Sequence, residues 1–146
     1  METLQGRGVI PGRAQGQALV SQMPLNLTAS FSSPINLLPG KGGVIQDRNH
    51  DLFRQNLAGK VLVFPAAIGS TFTGMILMRL IGLGFAPAAL IVQNADSLLV
   101  SGVILARVWL DKSIPVIEYP HPDLFEKIRG GAKINADGDT GEIQIV

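Results

Sequence analysis

The sequence predicts an α/β fold in which a glycine-punctuated β-layer, built from both ends of the chain, packs on an internal βαβ unit. Three observations carry that expectation. Residues 61 to 95 hold two short apolar runs on either side of a longer apolar stretch, with Arg79 as the sole charge. Residues 7 to 20 place glycine every few positions between short apolar runs, and the tail sets two alternating arms across an Asp/Gly-rich turn. With 146 residues, of which 47% are hydrophobic and 16% charged, the chain can bury a core and is read as one domain, residues 1–146.

Each element follows from its local pattern. Residues 7 to 20 read as β-structure with tight turns. The segment from Met23 to Arg54, rich in Pro, Ser, Gly and Asn, is long and irregular, and loops of that length are often functional. Its Ser32, Ser33 and glycines 40, 42 and 43 are candidates to cover a cleft, although a plain surface loop fits them equally well. Val61 to Phe64 reads as a buried strand, Thr71 to about Leu83 as the crossover helix and Ala88 to Val92 as the next strand. Gly82, Gly84 and Pro87 stop the helix. That helix is apolar nearly all round, which implies burial on more than one face by further layers or a partner. Ser97 to Ala106 reads as a short helix, Pro115 to Ile117 as a third parallel strand, and Pro122 to Ile128 as a helix opened by its proline. Ala132 to Asn135 and Glu142 to Ile145 pair across Asp137-Gly138-Asp139-Thr140-Gly141 as a hairpin.

Composition narrows the function. The 12 basic and 11 acidic residues are scattered and aromatics are few, which argues against a nucleic-acid partner. A spanning helix needs about 20 continuous apolar residues, whereas the stretch after Val61 is broken by Pro65, Gly69, Gly74, Gly82, Gly84 and Pro87, so no membrane span is expected. The N-terminus lacks an apolar leader, which makes the cytoplasm the default location. There is no cysteine, and the two histidines and dispersed carboxylates do not form a metal-ligand pattern.

The candidate chemistry lies in PAAIGSTFTG, residues 65 to 74, where the strand hands over to the helix. A serine at a helix start sees unpaired N–H groups and the positive end of the helix dipole, which favour an anion or an alkoxide. Gly69 permits close backbone approach, and open α/β sheets place ligands at the C-terminal ends of their strands. Taken on physics alone, Ser70 reads first as an N-cap, a role worth about 1 kcal/mol. No phosphate loop is present, because the Walker spacing and its lysine are missing. His50, in DRNHDLF, is a candidate to orient substrate or move a proton, against the commoner roles of a solvated or capping loop histidine. His121 reads as surface. Trp109, Met75 and Met78 read as core or subunit interface, and Asp47 and Asp51 do not form a recognisable catalytic pair.

The run GKVLVFP, the GST turn, the strand APAALIV and the strand IPVI, in that order, resemble the small subunit, or swivel domain, of aconitase X dehydratases, over most of the chain from about Gly8. The resemblance implies a swivelling β/β/α domain and a heteromeric dehydratase. In such an enzyme a serine of this chain, Ser70 by position, is the base, and a large subunit carries an iron or iron–sulfur centre. Gly69, Thr71 and His50 are then the candidate substrate contacts, the chain itself holds no metal, and it is inactive alone. The substrate is a β-hydroxy acid. Many archaeal relatives have arginine and glycine before the serine, whereas this chain has Ile68-Gly69, and Phe72 stands where aconitases carry an arginine. Two anion-binding guanidiniums are absent, which points to cis-3-hydroxy-L-proline, with phosphomevalonate as the alternative if Lys41, Arg48 or the partner supplies charge. Two readings of other classes remain: a non-catalytic docking domain, for which the uncharged helix would be the contact face, and a phosphohistidine carrier, suggested by DGDTGEIQI but lacking a histidine in residues 70 to 76.

Overall fold

A computed structural model describes residues 1–146. In chain order the elements are β1 (Glu2–Gln5), β2 (Arg7–Ile10), β3 (Arg13–Val20), α1 (Leu27–Phe31), a 3-10 turn (Pro34–Leu37), β4 (Val61–Phe64) and α2 (Thr73–Leu83). They continue with β5 (Ala89–Val92), α3 (Ser97–Leu110), β6 (Val116–Glu118), α4 (Leu124–Lys127), β7 (Lys133–Asp137) and β8 (Glu142–Ile145). The eight strands form one sheet in the order β1-β8-β7-β3-β4-β5-β6-β2.

The long strand β3 joins two halves of that sheet. Its first residues pair antiparallel with β7, and Ala18, Leu19 and Val20 pair parallel with Val61, Leu62 and Val63 of β4. β4, β5 and β6 continue in parallel, as the apolar runs predict. Their side chains alternate between two cores, which is why these strands read as unbroken apolar runs. Leu62, Phe64, Leu90, Val92 and Val116 face a helix-side core with Leu77, Leu80, Leu99 and Val103. Val61, Val63, Ala89, Ile91 and Ile117 face a second core with Leu4, Ile134 and Ile143 of the terminal strands and with Leu124 and Ile128. The expected β/β/α layering is therefore present.

β1 and β2 lie at opposite ends of the strand order yet are separated in the chain only by Gly6. The sheet must curl until its edges nearly meet. Glycines line the seam: the Gly6 N–H donates to the Gly141 carbonyl at 2.8 Å, and a Cβ on Gly8 or on Gly138 would run into backbone of the opposite edge. Glu118 ties the same region together. Its carboxylate accepts from Arg7 of β2 at 2.8 Å and, through its other oxygen, from the Ala95 N–H at 2.8 Å.

Several expected boundaries shift. The crossover helix opens at Thr73 rather than Thr71, because Ser70 to Phe72 form a separate turn. α3 runs on to Leu110 before Asp111 ends it in the left-handed conformation with φ 54°. The helix expected from Pro122 to Ile128 is a single turn, Leu124–Lys127, since Ile128 turns to extended backbone and Gly130-Gly131 follow closely. Inside the long loop, the short helix α1 escapes the periodicity test; Asn26 caps it by accepting from the Ala29 N–H at 3.0 Å. No helix is long and apolar enough to cross a membrane.

The two main helices touch at glycine. A Cβ on Gly74 of α2 would lie 2.8 Å from Ser101 Oγ and 2.9 Å from the Leu98 carbonyl oxygen, and one on Gly102 of α3 would lie 2.9 Å from Gly74 Cα. Backbone is thus in contact with backbone. Gly102→Val forces the helices apart and should cost about 1–3 kcal/mol of stability, the usual size of an overpacking penalty, read as a lower midpoint in urea unfolding.

A second expectation concerns Glu118. Its carboxyl is held below the ordinary value of 4.5, chiefly by the Ala95 N–H and further by Arg7, while burial pushes the other way. A depressed folded-state pKa stabilises the protein above pH 4.5, and that contribution drains away as the pH falls through the lower folded value. Glu118→Gln should therefore lower the unfolding free energy at neutral pH and leave a shallower loss of stability on acidification. Parallel slopes in the two proteins would show that Glu118 is not a source of the acid sensitivity.

Candidate functional site

The site is built at the C-terminal end of β4. Pro65 ends the strand, and the following residues run beside the start of the long loop. The Leu25 N–H donates to the Ala66 carbonyl and the Ile68 N–H returns to the Leu25 carbonyl, each at 3.0 Å. Gly69 has φ 101°, a conformation that residues with a side chain rarely adopt, and a Cβ there would sit 2.7 Å from the Asn26 side-chain amide. Only glycine fits. The α1 cap and the serine turn are thereby packed together.

Ser70 is half-buried, and it is not the N-cap of α2. That position belongs to Phe72, which contributes no side-chain hydrogen bond. Instead the Ser70 hydroxyl oxygen accepts from the Phe72 N–H at 3.0 Å, and the Ser70 carbonyl accepts from the Thr73 N–H at 3.2 Å and the Thr73 hydroxyl at 2.8 Å. The simple cap expected from sequence is thus replaced by a local serine turn. An N–H directed at the hydroxyl oxygen stabilises developing negative charge on it and leaves the hydroxyl proton free to be exchanged. The N–H groups of Thr71, Gly74 and Met75 make no hydrogen bond within the chain, so the first turn of α2 adds the positive end of its dipole.

Thr71 is exposed beside Ser70 and Gly69 is exposed before it, so the turn brings these three candidates together. His50 is not among them. It is only 5% exposed, its Nδ1 accepts from the Leu52 N–H at 3.1 Å, and its Nε2 lies 3.4 Å from the Ser21 hydroxyl. The Ser21 hydroxyl in turn donates to Asp51 at 2.6 Å. His50 is engaged at both ring nitrogens and withdrawn from solvent, where it anchors the long loop apart from the serine turn. His121 is exposed, as expected, and its ring meets that of Tyr119 edge-on at 4.8 Å. Burial, with a hydrogen bond to Asp123 second, raises the Tyr119 pKa above 10.0, so this phenol stays protonated.

The rim of the turn is apolar. Ile68, Phe72 and Met75 are 50%, 58% and 56% exposed, and on α3 Trp109 is 66% exposed. Of the two expected ways of covering α2, further layers or a partner, the layers of this chain leave Met75 open, and Trp109 and Met75 lie outside the core. As for metals, no group of three or more His, Cys, Asp or Glu side chains is gathered anywhere, and there is no cysteine. These residues do not fit an iron or iron–sulfur centre.

Sequence reasoning missed the basic side chains of the long loop as a group. Lys41, Arg48 and Arg54, spaced irregularly along the loop, line one cavity. Lys41 and Arg48 were legible only as isolated charges, and Arg54 gave no signal.

Comparison with known proteins agrees with this geometry. The family model described as aconitase X swivel domain matches residues 3–145. The phosphomevalonate dehydratase small subunit of Pyrococcus furiosus is 30% identical over 143 residues, covering 98% of this chain and 95% of that one. The phosphomevalonate dehydratase small subunit of Methanothermobacter thermautotrophicus is 33% identical over 138 residues, covering 94% and 95%. Among solved structures, the crystal structure of Thermococcus kodakaraensis aconitase X in its holo-form superposes with a TM-score of 0.83 at 30% identity, over 100% of this chain and 99% of that one. On a family match that runs nearly end to end, and on a fold that matches with it, the chain belongs to the aconitase X swivel domain family.

Proposed function

We propose that the chain is the small subunit of a heteromeric aconitase X-type dehydratase, a hydro-lyase in which Ser70 is the catalytic base. The observation that carries this reading is the Phe72 N–H held 3.0 Å from the Ser70 hydroxyl oxygen at the mouth of α2. Dehydration of a β-hydroxy acid breaks the C–H bond beside the carboxylate. Its electron pair forms the new double bond, and the C–O bond to the neighbouring hydroxyl breaks to release hydroxide. Ser70, as its alkoxide, takes the proton and passes it to the released hydroxide, which leaves as water. A free serine is far too weak a base for this, so its oxygen must be preorganised by the Phe72 N–H and the α2 terminus and then shielded from water. Gly69 and Thr71 form the backbone and hydroxyl edge against which the substrate carboxylate lies.

The departing hydroxide needs a Lewis acid, for which this chain has no donor set. On this reading the large subunit holds the iron or iron–sulfur centre and closes over the apolar rim of Ile68, Phe72 and Met75. The isolated chain is then inactive. For the substrate, the relatives named as phosphomevalonate dehydratase small subunits favour a phosphorylated β-hydroxy acid such as 5-phosphomevalonate. The second reading is cis-3-hydroxy-L-proline, favoured by one observation: the side chains flanking Ser70, Ile68 and Phe72, are apolar and exposed, not cationic.

The test is substitution within the assembled enzyme. Ser70→Ala removes one hydroxyl from an exposed turn and should leave subunit association and thermal unfolding nearly unchanged while kcat falls on the order of 10²-fold or more, the worth of a positioned proton-transfer group. Thr71→Val, which removes the neighbouring hydroxyl, should cost much less. Retention of most activity by Ser70→Ala in the intact complex sinks the assignment and leaves the docking-domain reading. Comparing kcat/KM for 5-phosphomevalonate and cis-3-hydroxy-L-proline decides the substrate.

A further inference from the structure

The long loop folds into a cup of about 400 Å³ whose polar wall is cationic. Lys41, Arg48 and Arg54 line it together with Ser33, Gln46 and Phe53, and no carboxylate does. None of the three cations is within an ion pair. The acids nearest in sequence are turned to other work: Asp47 accepts from the Asn49 N–H at 3.0 Å, and Asp51 from the Ser21 hydroxyl. Three like charges that share a cavity without a counter-charge repel one another and lower the cost of bringing in an anion.

The cup is also held rigidly. The Ile45 N–H donates to the Gln55 carbonyl at 3.0 Å and the Arg54 N–H returns to the Ile45 carbonyl at 2.9 Å, while the Gln46 N–H donates to the Ser30 carbonyl at 3.0 Å. Arg54 stands at φ 70°, a left-handed conformation that glycine or asparagine would fill with less strain. Its guanidinium stacks over the Phe53 ring at 4.9 Å. An arginine kept at such a position, stacked and unpaired, presents a preoriented fork for a phosphoryl or carboxylate group.

The cup adjoins the serine turn through α1. Asn26, which packs on Gly69, caps α1, and Ala29 and Ser33 at the far side of that helix line the cup. Ala29 of the cup wall therefore hydrogen-bonds directly to the residue that packs on Gly69, beside Ser70.

We propose that this cup binds the phosphoryl group at the remote end of the substrate, with Arg48 and Arg54 as its principal ligands and Lys41 as a supporting charge. The assignment rests on the phosphorylated-substrate reading given above. It also replaces the two guanidiniums missing beside Ser70 at positions 68 and 72 with cations contributed from the long loop.

Two measurements test it separately from the dehydratase reading. In the full chain, titration with inorganic phosphate should shift the amide resonances of Lys41, Gln46, Arg48 and Arg54, and Arg48→Ala or Arg54→Ala should abolish the shifts while the remaining spectrum stays folded. In the assembled enzyme, each variant should raise KM for 5-phosphomevalonate about tenfold or more, the size of one lost charge-assisted bond, with little change in kcat. Arg54→Lys should recover part of the loss, since it keeps the charge without the fork. No amide shifts, or an unchanged KM in an enzyme that does turn over 5-phosphomevalonate, overturns the cup assignment alone. Loss of subunit association in the variants also overturns it, because the cup would then seat an acidic segment of the partner. An assembled enzyme with no turnover of any phosphorylated acid overturns the substrate reading and the cup's role with it.

Discussion

The contact between Gly74 and Gly102 is the constraint on which the rest of the molecule depends. With no side chain on either residue, α2 and α3 approach until backbone meets backbone. Gly74 is the second residue of α2, four positions after Ser70, so this contact locks the end of the helix beside the serine turn and leaves the far end to ordinary side-chain packing. A helix pinned at its first turn presents its free N–H groups in a constant direction. Preorganised donors of that kind cost no rearrangement when charge develops, and this distinguishes a reactive serine from one that merely ends a loop.

What the sequence made legible follows from how far each interaction reaches. The parallel strands were readable because Val61 to Phe64 and Ala89 to Val92 are buried on both faces, between two cores, and so carry no polar residue to interrupt the run. The tail hairpin was readable because its turn is local. The curl of the sheet was not, since the seam joins Gly6 and Gly8 to Gly138 and Gly141, more than 125 residues apart, and glycine for close approach looks in sequence like glycine for a turn. α1 was missed because five residues are too few to show a helical period.

The site was legible by residue but not by geometry. Ser70 stood out from its place between strand and helix, whereas the hydrogen bonds that hold it were not readable from the sequence. Because the Phe72 N–H reaches back to Ser70, α2 begins at Thr73 and the serine stays outside the helix. The burial of His50 was hidden for the opposite reason. A histidine between two aspartates in a polar loop resembles an exposed proton carrier, and nothing local shows that Ser21, 29 residues away, closes over it. The group formed by buried Ser21 and His50 with exposed Asp51 fastens the loop to the strand end, since the Ser21 N–H donates to the Val63 carbonyl at 2.9 Å.

The apolar rim gives the proposed chemistry its logic. Ile68, Phe72 and Met75 are each about half exposed around a serine that, in water, has almost no basicity. Covering such side chains is favourable at roughly 25 cal/mol per Å² of apolar surface, and the same act removes water from the Ser70 oxygen. In a drier site the Phe72 N–H and the α2 dipole act on that oxygen with less screening, so each stabilises an alkoxide more than it does in the isolated chain. Association and activation are then one event. A small subunit that kept its rim polar would dock less firmly and also leave its serine hydrated, whereas one that buried the rim within its own core would withdraw the serine from the partner. Half-exposed apolar residues around a half-buried hydroxyl are the arrangement that satisfies both demands.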